Sequence, residues 1–132
     1  MRQDELSEYT CEGLAQPRVY GLDRTIVVEL RGEIDLVAYQ RMVPLFDAVA
    51  AGPEPVVIVD LSEAGFFDCS GISLLMRAHR RVSDRGGALC VVCTHPLTLR
   101  MLRLTGLTET LSPAPTVGAA LAALGDVTQR DA

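Results

Sequence analysis

Positive charge is scarce in this chain. Twelve Lys and Arg residues stand against seventeen Asp and Glu among 132 residues, which leaves a formal charge of -5. A protein that grips a phosphate backbone needs clustered Lys and Arg to displace counterions, so nucleic acid is excluded as the expected partner. Long apolar runs are missing too. The N-terminus, MRQDELSEYT, alternates charge and polarity where a signal peptide carries an apolar stretch, and no later run approaches the roughly 20 residues that cross a bilayer. A cytoplasmic protein without membrane insertion is expected. There is no Gly-rich phosphate loop of Walker or dinucleotide type, and Glu29, Glu33 and Asp35 lack a recognisable catalytic spacing. With only His79 and His95 as imidazoles, no cofactor and no catalytic group are expected.

Cysteine is present but unpatterned. Cys11, Cys69, Cys90 and Cys93 show no framework spacing, and a chain rich in Val, Leu and Ile folds without staples, so all four read as reduced thiols. Cys90 and Cys93 lie in an apolar Leu-Cys-Val-Val-Cys run. Residues three apart in a strand face opposite ways, which favours core packing over a redox pair or a metal site.

What is there is a single-domain apolar content, 48% of residues, arranged in alternating periods. Residues 1–15 have no clear period and form an N-terminal arm. Val19 to Leu22 and Thr25 to Leu30, split by the turn-prone pair Asp23-Arg24, predict a hairpin. Val37, Met42, Leu45, Phe46 and Val49 recur at helical spacing behind Asp35, which sits where an N-cap belongs; Pro44 inside that stretch predicts an irregularity. Val56 to Leu61 is apolar on both faces, the pattern of a strand covered on each side. Ser70 to Arg85 is amphipathic, with Ile72, Leu75, Met76 and Val82 on one face and Arg77, Arg80, Arg81 and Asp84 on another, and Gly86-Gly87 stops it. A buried strand at Leu89 to Cys93, a helix from Pro96 to Leu104, a short strand at Glu109 to Leu111 and an Ala-rich helix from Val117 to Leu124 follow. Residues 126–132 read as a polar tail. The order predicts an α/β fold with an antiparallel start and parallel crossovers, the domain spanning 16–125.

The segment Phe67-Asp68-Cys69-Ser70-Gly71-Ile72 joins the covered strand to the amphipathic helix, at a strand end where α/β proteins meet ligands and partners. Taken alone it is a well-capped turn, with Ser70 as the N-cap and Gly71 easing the backbone. It also resembles the phosphorylation loop of bacterial anti-sigma factor antagonists, Asp-Ser-Ser-Gly-Leu or Asp-Ser-Thr-Gly-Leu. Gly32-Glu33-Ile34-Asp35 is similar to that family's Gly-Glu-Leu-Asp element. Gly86-Gly87, the Pro-started helix, Leu104-Thr105-Gly106-Leu107 and the terminal Ala/Leu helix extend the match over residues 18 to 124.

The resemblance implies the STAS fold, a mixed sheet of four or five strands with flanking helices. It implies a regulatory protein that binds an anti-sigma factor with a serine-kinase-type ATPase domain and so frees a sigma factor for transcription. Phosphorylation of the serine after the motif aspartate breaks such a complex, because a phosphate of nearly two charges disrupts a docking surface by repulsion and desolvation. Carried over, the loop is Asp68, Cys69, Ser70 and Gly71, and the partner-binding residues are Asp35, Ser73, Arg77 and Arg80. The serine position holds Cys69 here. Ser70 is then the alternative phosphoacceptor, in competition with its capping role. Two other readings stand beside this one: a STAS subunit of a signalling scaffold or lipid-transport ATPase complex that needs no phosphorylation, and a thiol-dependent redox protein using Cys69.

Overall fold

The computed structural model describes residues 16–131. Strand β1 (Arg18–Leu22) runs antiparallel to β2 (Thr25–Ile34), and β2, β3 (Val56–Phe67) and β4 (Ala88–Val92) run parallel, in the spatial order β1-β2-β3-β4. Helix α1 (Leu36–Val49) joins β2 to β3, and α2 (Cys69–Asp84) joins β3 to β4. After β4 come α3 (Pro96–Leu104), a single turn α4 (Thr108–Leu111), and α5 (Val117–Asp131). Asp23, with φ of 56°, supplies the left-handed residue that a two-residue hairpin loop requires.

Strand alternation divides the interior into two layers. Val28, Leu30, Val57, Val59, Leu61, Leu89 and Val91 meet Phe46 of α1 and Leu74, Leu75, Ala78 and Val82 of α2 on one face. Val27, Ile58, Cys90 and Val92 point the other way, onto Ala120 and Leu124 of α5. Cys90 and Cys93 fall on opposite faces, as the two-residue period requires. Both are free buried thiols, and burial pushes both upward in pKa. Cys11 and the N-terminal arm lie outside the described residues.

Several elements differ from the sequence expectation. Glu109 to Leu111 is part of the helical turn α4, not a strand; Leu111 is fully buried there and Ser112 ends the turn in the left-handed region at φ 46°. The strand-like contact falls instead at Ala114, which bridges Val92 in parallel and exchanges backbone hydrogen bonds of 2.9 and 2.8 Å with Cys93 and Val91. Helix α5 does not stop at Leu124: Gly125 is outside the left-handed region that terminates a helix, and the backbone stays helical to Asp131. Helix α1 runs unbroken through Pro44, which is exposed, so its ring meets solvent rather than the core. Val37, counted among the inward positions from its spacing, is 51% exposed.

Strand β3 outruns its neighbour. It pairs with β4 only from Val56 to Asp60, whereas its far half, Glu63 to Phe67, pairs with Arg31 to Ile34 of β2 alone. Two register shifts interrupt that ladder, each placing an extra residue on β3, and Gly32 beside the second has φ of 71°. The loop after β3 is thereby carried past the four-stranded part of the sheet.

Candidate partner-docking site

The ends of β2 and β3 are side by side, with Ile34 opposite Phe67 and the Asp68 amide donating to the Ile34 carbonyl at 3.4 Å. Each strand then turns into a helix through an aspartate. The Asp35 carboxylate accepts from the Ala38 amide at 3.0 Å, and the Asp68 carboxylate accepts from the Ser70 amide at 2.8 Å. Both satisfy a donor that the helix start leaves orphaned. The N-cap of α2 is therefore Asp68 and not Ser70, a correction with a simple cause: the aspartate reaches the helix start two residues earlier.

That exchange changes what the other loop residues do. Cys69 opens α2 as an exposed free thiol. Ser70 sits in the first turn, half-buried, and its hydroxyl has no hydrogen-bond partner among the described residues. Gly71 is buried and is not in the left-handed region, so it is not eased into a special turn. Its lack of a side chain matters for packing: a Cβ there would lie 2.6 to 2.8 Å from the Phe67 ring.

Beyond the loop, Ser73 is exposed one turn from Cys69 and on the same side of the helix. Arg77 continues that row but reaches across to α1, where its Nη2 donates to Asp47 Oδ2 at 3.1 Å. This bond raises the Arg77 guanidinium in pKa, against a lesser desolvation effect that lowers it. Arg81 Nε stands 3.5 Å from the other Asp47 oxygen, an ion pair without a hydrogen bond. Arg85 donates to the carbonyls of Ala51 and Gly52 at the end of α1. Arg80 is exposed and has no ion pair among the described residues. Arg77 and Arg81 thus tie α2 to α1 at Asp47, and Arg80 alone of the row projects freely.

The first turn of α1 holds what sequence reasoning missed. Leu36 and Val37 are 58% and 51% exposed, directly beside the Asp68 loop through the Ile34–Phe67 pair. The available signal was their position immediately after the cap, on the turn that projects past the strand end. Among the described residues no three His, Cys, Asp or Glu side chains gather into a metal-binding group. His79 is ten residues beyond Cys69 on one helix, about 15 Å along the axis. His95 caps α3, accepting from the Leu97 amide through Nδ1 at 3.3 Å. No helix among the described residues is long and apolar enough to cross a membrane.

Residues 16–120 match the family model of the STAS domain. The chain belongs to the STAS domain family. Among solved structures, this STAS domain is similar to an anti-sigma factor antagonist from Mycobacterium paratuberculosis at 32% identity, with 83% of this chain and 92% of that one covered and a TM-score of 0.75. An anti-sigma-factor antagonist (STAS) domain protein from Planctomyces limnophilus matches at 25% identity over 84% of this chain and 99% of its own, with a TM-score of 0.69. A sulfate transporter family protein from Wolinella succinogenes shares the fold, at 18% identity, coverage of 83% and 92%, and a TM-score of 0.69. The four-stranded mixed sheet with flanking helices is the STAS fold, and structures nearest in sequence among these are anti-sigma factor antagonists.

Proposed function

We propose that this STAS domain is an anti-sigma factor antagonist, a non-catalytic binding protein that docks an anti-sigma factor and so frees a sigma factor for transcription. The observation that carries the reading is the 32% identity to the mycobacterial antagonist over nearly the whole domain. The docking surface is the Asp68–Gly71 loop with the adjoining first turn of α1. Leu36 and Val37 supply exposed apolar area, whose removal from water on docking favours binding. Cys69 and Ser73 border it as small side chains that let a partner approach, and Arg80 lies further along the same helix. Asp35 and Asp68 hold the two helix starts in place.

The partner is an anti-sigma factor with a serine-kinase-type ATPase domain, and the regulation departs from that pattern. Cys69 occupies the serine position, so no phosphate is added there and the loop stays competent to bind. Ser70 is the remaining candidate acceptor, because Asp68 has taken over the capping role and left its hydroxyl without a protein partner. A phosphate there would stand beside the Asp68 carboxylate and in the docking surface, which opposes binding.

Calorimetric titration of the full chain with that kinase-type anti-sigma factor, with and without ATP, followed by intact mass, tests the reading. One-to-one binding that Leu36→Asp abolishes is the expected result. Absence of binding at any ratio would overturn it. Gain of one phosphate mapped to Ser70 would show a switch moved by one residue, and no gain would show a permanently competent dock. Cys69 in place of serine also favours a second reading, a STAS subunit of a signalling scaffold or lipid-transport ATPase complex in which phosphorylation plays no part.

A further inference from the structure

Helix α3 carries an exposed face that the docking loop does not explain. Leu97 and Leu104 are 69% and 74% exposed, the two most exposed large apolar residues among those described. With half-buried Met101 they follow a four-then-three spacing, which places them in one row about 10.5 Å long on the helix surface. Arg100 and Arg103 are exposed in a parallel row beside it, and neither meets a carboxylate among the described residues. The opposite side of the helix, through Thr98 and Leu102, is the side packed into the domain. No Asp or Glu occurs between Asp84 and Glu109, so in a chain of charge -5 this is a locally basic, apolar strip.

The strip has a complement in the chain itself. Residues 1–15, MRQDELSEYTCEGLA, bring one arginine against four acids, Asp4, Glu5, Glu8 and Glu12, with Leu6 and Tyr9 three apart between them. From Tyr9 to Arg18 the chain spans up to about 30 Å when extended, against about 14 Å for the three strand spacings that separate β1 from β4, the strand before α3. Reach is therefore no obstacle. Two alternatives fit less well. A second copy pairing through the same strip about a twofold axis would set Arg100 and Arg103 against their own counterparts. An anionic membrane would gain about 1 kcal/mol from each of two arginines and little from two leucines, while repelling the net negative remainder of the chain.

We propose that the acidic N-terminal segment docks on α3, seating Leu6 and Tyr9 on the Leu97–Met101–Leu104 row and setting Glu5 and Glu8 against Arg100 and Arg103. The contact uses residues outside the Asp68 loop and is independent of the reading of that loop. A partner using this face competes with the chain's own N-terminus.

Nitrogen-15 NMR of the full chain tests this by charge exchange. Arg100→Glu with Arg103→Glu should shift the amides of both α3 and residues 4–12, and Glu5→Arg with Glu8→Arg should shift the same two groups. Combining all four substitutions should restore the original positions of the unsubstituted residues that are not sequence neighbours of a substitution, and raised salt should reproduce the single-side variants there. Shifts in α3 confined to the substituted residues and their neighbours, with residues 4–12 unmoved, would overturn the proposal. So would α3 shifts that grow with protein concentration, which assign the face to a second copy, or α3 shifts induced by phosphatidylglycerol vesicles while residues 4–12 stay still.

Discussion

Two corners of this STAS domain are built alike and differ in what they present. Asp35 and Asp68 end adjacent parallel strands with nearly the same backbone, φ -111° and ψ -166° at one, φ -113° and ψ -164° at the other. Each caps a helix with its own carboxylate. After Asp35 come Leu36, Val37 and Ala38, and after Asp68 come Cys69, Ser70 and Gly71. Capping accounts for both aspartates and for none of the six residues that follow. The difference teaches that the shared geometry of the two helix starts is the frame, and that chemistry resides in the first turn: an apolar pad at one corner, small polar side chains at the other.

The comparison breaks most visibly at the third helical position. Gly71→Leu must displace the Phe67 ring, and overpacking of that kind costs about 1–3 kcal/mol, read as a lower urea midpoint together with lost partner affinity. Ala38, its buried counterpart at the other corner, already carries a Cβ, and Ala38→Gly should cost roughly 0.5–1 kcal/mol. An unchanged midpoint for Gly71→Leu would mean that Phe67 moves aside freely and that glycine is retained for access alone.

The caps should come next in size and be equal. Asp35→Ala and Asp68→Ala each remove one side-chain bond to an orphan amide and should each cost about 1 kcal/mol, most of it recovered by Asn. Unequal losses would show that one aspartate does more than cap. The exposed pad sharpens the contrast differently: Leu36→Ser with Val37→Ser should leave folding stability within about 0.5 kcal/mol while weakening the proposed complex with an anti-sigma factor by at least about 1 kcal/mol, measured by calorimetry.

Smallest in stability is Cys69→Ser, an exposed substitution whose effect should lie within about 0.5 kcal/mol. Its consequence is chemical. If the kinase reads the usual position, this variant gains one phosphate on intact mass and then releases the partner. The buried thiols give a further check by contrast. Cys90 and Cys93 have pKa values raised by burial, so the stability they lend is complete below the unfolded thiol pKa of about 8.5 and declines as pH rises toward their folded values. Denaturation midpoints should fall in alkaline buffer, and less so in a Cys90→Ala, Cys93→Ala variant.

Much of the frame was legible in the chain. The two-residue alternation of β2, β3 and β4 and the amphipathic period of α2 are strong signals because burial repeats along many residues. The misplaced pieces are those where a single residue decides. Asp68, Cys69 and Ser70 offer two competent caps within three positions, and only the backbone at the strand end determines which one reaches the first free amide. The stretch Glu109 to Leu111 is too short to display a period, and the left-handed Ser112 that closes it has no mark in a pattern of apolar and polar residues. Val37 fits the helical spacing of α1 yet precedes the point where that helix meets the sheet, so periodicity assigned it to the wrong side. The pairing of Arg77 and Arg81 with Asp47 joins residues thirty or more positions apart, beyond the reach of any local rule.

The unequal lengths of β3 and β4 have a mechanical consequence. Past Asp60 the docking corner rests on a ribbon of two strands, interrupted by two bulges, while the first halves of the same strands are locked in a sheet of four. A two-stranded ribbon is marginal on its own, and here its inward residues Ile34, Leu61 and Phe67 are held by the layer of α1 and α2. Its amides should exchange with solvent by openings that leave the four-stranded half closed. The corner is built as a cantilever braced from one side: loosening the first turns of α1 and α2 should free it before the four-stranded root gives way.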